Sequence, residues 1–130
     1  MAKGLDRHRE RMDILASFGR NLARRSGSRC ELCSSSGVPL HIYEVSPVAD
    51  TPDMDRCIFI CTTCEKGMEN PPGMADHWRC LNTAVWSEIP ALQVISVRIL
   101  RQISPKSDWA RSLLEEVYLD PEIEEWIDKQ

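Results

Sequence analysis

Histidine is scarce in this chain, three in 130 residues, which leaves too few imidazoles for the histidine-rich bimetal centres of many hydrolases. Long apolar runs are missing too: none approaches the roughly 18 to 20 residues that span a bilayer, so no membrane segment is expected. The opening MAKGLDRHRE is charged and lacks the apolar centre of a secretory signal. The expected compartment is therefore the cytoplasm, where six cysteines favour metal thiolates over disulfides. Neither a Gly-rich phosphate loop, a G-x-S-x-G elbow nor a Ser/His/Asp spacing occurs, which sets aside the commonest nucleotide-binding and serine-hydrolase designs. Repeats and low-complexity tails are also lacking. A mass of 14.8 kDa allows one domain with a modest core and leaves no room for a cleft between two full domains.

What the chain does have is paired cysteine. Cys30-Glu-Leu-Cys33 and Cys61-Thr-Thr-Cys64 are two C-x2-C turns, and each can present two thiolates to one ion. Together they supply four sulfur ligands for a tetrahedral Zn(II), one per chain. With four protein ligands, no position remains for water or substrate, so such a metal is a structural clip and not a Lewis acid. Four thiolates suit iron as well as zinc.

Charge is unevenly spread. Residues 1–29 carry eight Lys/Arg against three Asp/Glu, and residues 105–130 carry three against eight. Two readings follow. The basic arm pairs with the acidic tail of its own chain, or it grips phosphate, with Arg7, Arg11, Arg20, Arg24 and Arg25 as the nucleic-acid contacts.

Along the chain, Ile14, Leu15, Phe18 and Leu22 form one apolar stripe of a helix over residues 5–25, and Gly27 is its terminator. Val38 to Val45 reads as a strand with Val38, Leu40 and Ile42 on one face, and Cys57 to Cys61 as a second. Pro47, Pro52 and the aspartates around them mark a loop between the two. From Asp76 the chain is dense in large side chains. Pro90 opens a helix with Leu92, Ile95, Ile99 and Ile103 as its core stripe, Ser107 caps the next, and Asp120-Pro121 starts a last one. On the second of these three, Trp109, Leu113, Leu114, Val117 and Tyr118 are expected to face inward. The expected fold is a small α+β metal-bound domain: a zinc ribbon, meaning a β-hairpin with two C-x2-C knuckles, packed with an N-terminal helix and a C-terminal cluster of about three helices. Its segments are a basic amphipathic helix at 1–28, the ribbon at 29–70 and a helical region at 76–130.

The runs CELC, L-x-x-YEV-x-P, C-x-x-C, HWRCLN, VWSEIPALQV and WA-x-x-LLEEVYLD resemble the N-terminal two-thirds of the PhnA-like proteins, a zinc-ribbon family named after an alkylphosphonate-utilisation operon. The longer relatives continue into a small barrel-like C-terminal domain beyond the position of Gln130. The resemblance implies zinc at Cys30, Cys33, Cys61 and Cys64 and no assigned reaction. The similarly named phosphonoacetate hydrolase needs a far larger Asp and His set than this chain holds. Where such knuckles often place Gly after the second cysteine, this chain has Ser34 and Glu65.

Two catalytic designs merit comparison. HNH-type nucleases place two C-x2-C pairs around an H-H-I-x-P strand, but the corresponding stretch here is Tyr43-Glu44-Val45-Ser46-Pro47, without the general-base histidine. A second metal site could draw on His77 and Cys80, three residues apart, with Cys57 or His41; the competing reading places His77 within a Trp78/Trp86 core and Cys57 as a small buried apolar side chain. Trp78, Trp86, Trp109 and Trp126 read as core or interface residues, and Arg79 with Glu88 as a partly buried pair. The function expected from these residues is that of a zinc-stabilised, non-enzymatic binding or adaptor protein with a protein partner. The alternatives are a metal-dependent enzyme of phosphonate or nucleic-acid metabolism using His77, Glu44 and Arg79, and a nucleic-acid-binding zinc protein.

Overall fold

The structure is a computed structural model that describes residues 2–130; Met1 of the expected basic segment lies outside it. The N-terminal helix expected as one is two, α1 (Ala2–Ser17) and α2 (Gly19–Ser26). At Phe18 the ladder tightens to a bond from its N–H to the Leu15 carbonyl, next to Gly19, a poor helix former. The helix pair ends where the sequence places the stop. Gly27 takes φ 65°, and the Ser28 and Gly27 amides return to the carbonyls of Ala23 and Arg24 in a Schellman pairing.

Strands β1 (Leu40–Glu44) and β2 (Cys57–Cys61) form an antiparallel hairpin in register Leu40↔Cys61 to Glu44↔Cys57. The first strand is shorter than predicted. Val38 precedes it and is 42% exposed, while Leu40 and Tyr43 pack on the core and Val45 is buried just beyond. β2 is buried at every position but Phe59, because α2, α3 (Thr62–Gly67) and α5 (Pro90–Ile103) all pack against it.

The hairpin half then meets the helical half through Trp78, which is fully buried. Gly67 ends α3 against this indole, and a Cβ there would fall 2.8 Å from Trp78 Cζ2, so only glycine fits. After the short α4 (Leu81–Ala84), α5 is the central helix the apolar stripe predicts. Leu92, Val94, Ile95, Val97, Ile99, Leu100 and Ile103 are all buried, and α4, α6 (Asp108–Glu116) and α7 (Pro121–Asp128) pack against it. One hydrophobic cluster runs from Cys30 and Leu32 through Trp78 and α5 to Ile127, so hairpin and helices share a core.

Several expectations need correction. Tyr118, expected inward, is 80% exposed because α6 ends at Glu116 and the chain turns extended at Val117. Trp86 is 51% exposed, unlike the other three tryptophans. Arg79 does not pair with Glu88; its guanidinium lies 5.2 Å from the centre of the Trp109 ring. Among the described residues the basic arm makes no ion pair with the acidic tail either. Among the described residues the arm's ion pairs are Arg11–Glu44 and Arg25–Glu31, whereas tail acids are satisfied by Arg101, Arg111 and Lys129. Each of these charges finds a partner within its own half, which a segment count cannot reveal.

Arg98 is the one charged residue buried on α5, only 6% exposed. It donates to the Ile127, Trp126 and Lys129 carbonyls at 3.1, 2.7 and 2.9 Å and to Ser46 Oγ at 3.0 Å. It thereby adds a donor to carbonyls at the end of α7, of which that of Trp126 also accepts the Lys129 N–H at 3.1 Å. Trp126 Nε1 donates to the Ser46 carbonyl at 3.0 Å, so the last helix is tied to the loop after β1.

Candidate metal centre

The Sγ atoms of Cys30, Cys33, Cys61 and Cys64 all lie within 4.8 Å of one another. Cys30 to Cys64 is 3.7 Å and Cys33 to Cys61 is 3.6 Å. A tetrahedral ion with metal–sulfur bonds of about 2.3 Å requires sulfur–sulfur edges of about 3.8 Å, a length these two edges match and the 4.8 Å bound on the others allows. Six free cysteines and no disulfide are present. At 3.6 Å and above, the sulfurs are also far outside the roughly 2.05 Å of a disulfide bond.

The two pairs are held differently. The first is a loop knuckle, in which the Cys33 N–H points at Cys30 Sγ at 3.5 Å and the Ser34 N–H bonds the Cys30 carbonyl at 2.8 Å. Ser34 takes the place where glycine is common and adopts φ 66°, so the knuckle closes in the left-handed conformation with a serine. The second pair departs from the ribbon expectation. β2 runs straight into α3, Cys61 Sγ caps that helix by accepting the Cys64 N–H at 3.5 Å, and Cys64 lies in its first turn. The ligands therefore come from a knuckle on one side and a helix N-terminus on the other, and the helix dipole favours negative charge on the sulfurs.

Glu31, inside the first C-x2-C, explains how the knuckle is oriented. Its carboxylate accepts Arg25 Nε at 2.9 Å and Arg25 Nη2 at 2.7 Å, and also the Phe59 N–H of β2 at 2.8 Å. Arg25 Nη2 reaches the Cys57 carbonyl at 2.9 Å as well. One ion pair thus joins α2, the knuckle and β2. The sequence marks Arg25 as a surface cation, and its role becomes visible only once α2 lies beside β2.

The four sulfurs share charge unevenly. The hydrogen bond between the Cys30 and Cys64 sulfurs holds Cys30 down to about 4 and, with burial, pushes Cys64 far up. Burial raises Cys61. Four thiolates in this volume repel one another, and a divalent cation among them lets all four ionise while their protons go to solvent. Cys80, outside the cluster, is pushed up to about 12 by burial and then by the charge of Cys33 and Cys30.

The residues named for a second site are scattered. His41 Nε2 pairs with Thr62 Oγ1 at 2.8 Å, Cys57 donates its thiol to the Asp53 carbonyl at 3.3 Å, and His77 Nε2 lies 3.2 Å from Cys64 Sγ. Among the described residues, the four cysteines are the one group with metal-ligand geometry. The trio His77, Glu44 and Arg79 is not assembled either: Glu44 is held by Arg11, and Arg79 lies on Trp109. Of the five arginines proposed for nucleic acid, Arg11 and Arg25 are spent inside the fold, Arg11 also donating to the Ala49 and Asp50 carbonyls at 3.0 Å. Arg7, Arg20 and Arg24 are exposed and, among the described residues, in no ion pair.

Fold and site together define a small α+β domain built around a four-cysteine cluster suited to a metal ion. No helix of the described residues is long and apolar enough to cross a membrane. Comparison of the chain with family models, curated proteins and solved structures gives no match.

Proposed function

We propose that this chain is a zinc-stabilised, non-enzymatic binding protein of the PhnA-like kind, acting in the cytoplasm. Zinc holds the knuckle to α3 and closes a core that a hairpin of this size does not close alone. The observation that carries the reading is the gathering of four sulfurs within 4.8 Å of one another, two of their edges near the tetrahedral length and three of the cysteines buried in the same cluster as α5. Such an ion has a saturated shell, so its contribution is shape, and the function lies in what the folded surface recognises. Native mass spectrometry should find one zinc per chain, and stripping it with a strong chelator should abolish near-UV circular dichroism. A metal-free protein with full native dispersion in NMR would refute the reading. Replacing Cys30 and Cys61 together by serine should remove all stoichiometric metal; one retained equivalent would reveal a second site and reopen the enzyme alternative.

A second reading, nucleic-acid binding, is favoured by one observation. From Ile14 to Cys30 the chain carries four arginines and no acidic residue, and Arg20 and Arg24 stand one turn apart on the exposed side of α2. Together with Arg7 they offer three phosphate contacts. Three contacts give a slope of about −2.7 in log affinity against log salt, or about a 40-fold loss between 50 and 200 mM salt. Anisotropy titrations with duplex DNA should show that slope, and Arg20→Ala with Arg24→Ala should lower it by about 1.8. Salt-independent binding, or none at 50 mM, would dismiss it.

A further inference from the structure

Each of the four sulfurs has one hydrogen-bonding partner other than a sulfur, and the four are of two kinds. Cys30 and Cys61 receive backbone N–H groups, from Cys33 and Cys64, each at 3.5 Å. Cys33 Sγ is 3.2 Å from Ser35 Oγ, and Cys64 Sγ is 3.2 Å from His77 Nε2. The backbone pair is built into any C-x2-C turn. The side-chain pair is particular to this chain: Ser35 lies two residues beyond Cys33, and His77 comes from thirteen residues beyond Cys64.

Cys64 is fully buried, so water cannot solvate its sulfur. A thiolate is an acceptor only, so once Cys64 is a metal ligand the contact requires a proton on His77 Nε2. The ring is fixed edge-on against Trp78, with centroids 4.9 Å apart and planes at 73°, and its outer side borders a shallow surface hollow formed by Pro72 to Asp76. Its position is set by packing that does not involve the metal. A site of four thiolates and one divalent ion carries a formal charge of about −2, and in a buried setting each N–H or O–H aimed at sulfur lowers the electron density that repels the others.

We infer that His77 is a positioning residue for the metal centre: its Nε2–H donates to the Cys64 thiolate and sets both the affinity of the site and the electronic character of that one metal–sulfur bond, with Ser35 doing the same for Cys33. The inference rests on the metal-centre reading above and adds an outer partner that the cysteine spacing does not contain. Outer partners of metal ligands are commonly worth about 10 to 100-fold in metal affinity. His77→Phe keeps a ring against Trp78 and removes the donor, whereas His77→Gln keeps an amide N–H.

The experiment uses the full chain loaded with zinc, cobalt(II) or cadmium-113. In competition with a chromophoric chelator, His77→Phe should weaken zinc binding by about 10 to 100-fold and His77→Gln should recover most of the loss. In the cobalt form, His77→Phe should move the sulfur-to-metal charge-transfer band to lower energy, because the sulfur lone pair is no longer held down. The unaltered cadmium-113 protein should show scalar coupling between the metal and the His77 Hε2 proton, a measurement that needs no variant to fold. Unchanged affinity and spectrum in a folded His77→Phe protein, or no such coupling in the unaltered one, would overturn the inference while leaving the four-cysteine site standing. A one-bond coupling from cadmium to a His77 nitrogen would overturn it by making His77 a ligand. If the unaltered chain takes up no metal at all, the reading beneath it fails.

Discussion

Replacing Glu31 by alanine tests whether the first C-x2-C turn is held by its metal alone or also by the ion pair behind it. The Glu31 side chain is 3% exposed and that of Arg25 is 23% exposed, so water screens the pair weakly. Alanine removes three accepted hydrogen bonds, leaves the Phe59 N–H without a side-chain acceptor and strands the Arg25 guanidinium beside β2. Breaking a buried pair by removing one partner costs about 3 to 5 kcal/mol, and the partial exposure of Arg25 puts the expected value near the low end, about 3 kcal/mol. With a urea m-value of about 1.5 kcal/mol/M, the midpoint of the zinc-loaded protein should fall by about 2 M. Metal content should be measured at the same time and should remain stoichiometric below the transition. A loss of less than about 1 kcal/mol would mean the pair is effectively solvated and that the knuckle is oriented by its sulfurs. Arg25→Ala should cost at least as much, since it leaves the 3% exposed Glu31 carboxylate with the Phe59 amide alone and removes the contact to the Cys57 carbonyl.

Other predictions follow from single residues. Ser34→Gly should raise stability by up to about 1 kcal/mol in the same urea titration, because Ser34 sits at φ 66° where only glycine is free of strain. Burial, and then the charge of Glu44, pushes the Cys57 thiol up to about 11. At pH 8 only about one thiol in a thousand is then ionised, so alkylation followed by peptide mapping should find Cys57 protected, its rate climbing about tenfold per pH unit from 7 to 10. Modification at pH 8 as fast as that of a free thiol would contradict both the burial and the shift.

The parts of this fold that sequence makes legible are those set by local rules. α5 was readable because its apolar residues recur at helical spacing and Pro90 marks its first turn, and β2 because Cys57 to Cys61 is a short apolar run between turn residues. The four-cysteine cluster was readable because C-x2-C spacing is itself a geometric statement. What was not legible depends on which surfaces meet. The second cysteine pair looked like another knuckle, since nothing in Thr62-Thr63 says that a strand will pass directly into a helix capped by sulfur. Arg11 and Arg25 looked like Arg20 and Arg24, because a cation's partner lies across the fold and not along the helix. Arg98 offered one hint, a lone charge inside the run Ala91 to Leu100, but its role needs the end of α7 to be in place. His77, expected within a Trp78/Trp86 core, is half-buried against Trp78 alone, and its contact with Cys64 follows only from the turn after Pro71 folding back over α3.

The four thiolates lie in the first half of the chain, while much of the apolar surface sharing their core, α5 to α7, lies in the second. A polypeptide leaves the ribosome N-terminus first, so the sulfurs are exposed to the cell before the helices that will enclose them exist. For a chain that takes an ion at this cluster, as proposed, capture during synthesis meets an open shell, whereas loading a finished chain meets three buried sulfurs and one half-buried one. Supply of the ion while the protein is being made, more than its concentration afterwards, would decide how many molecules mature.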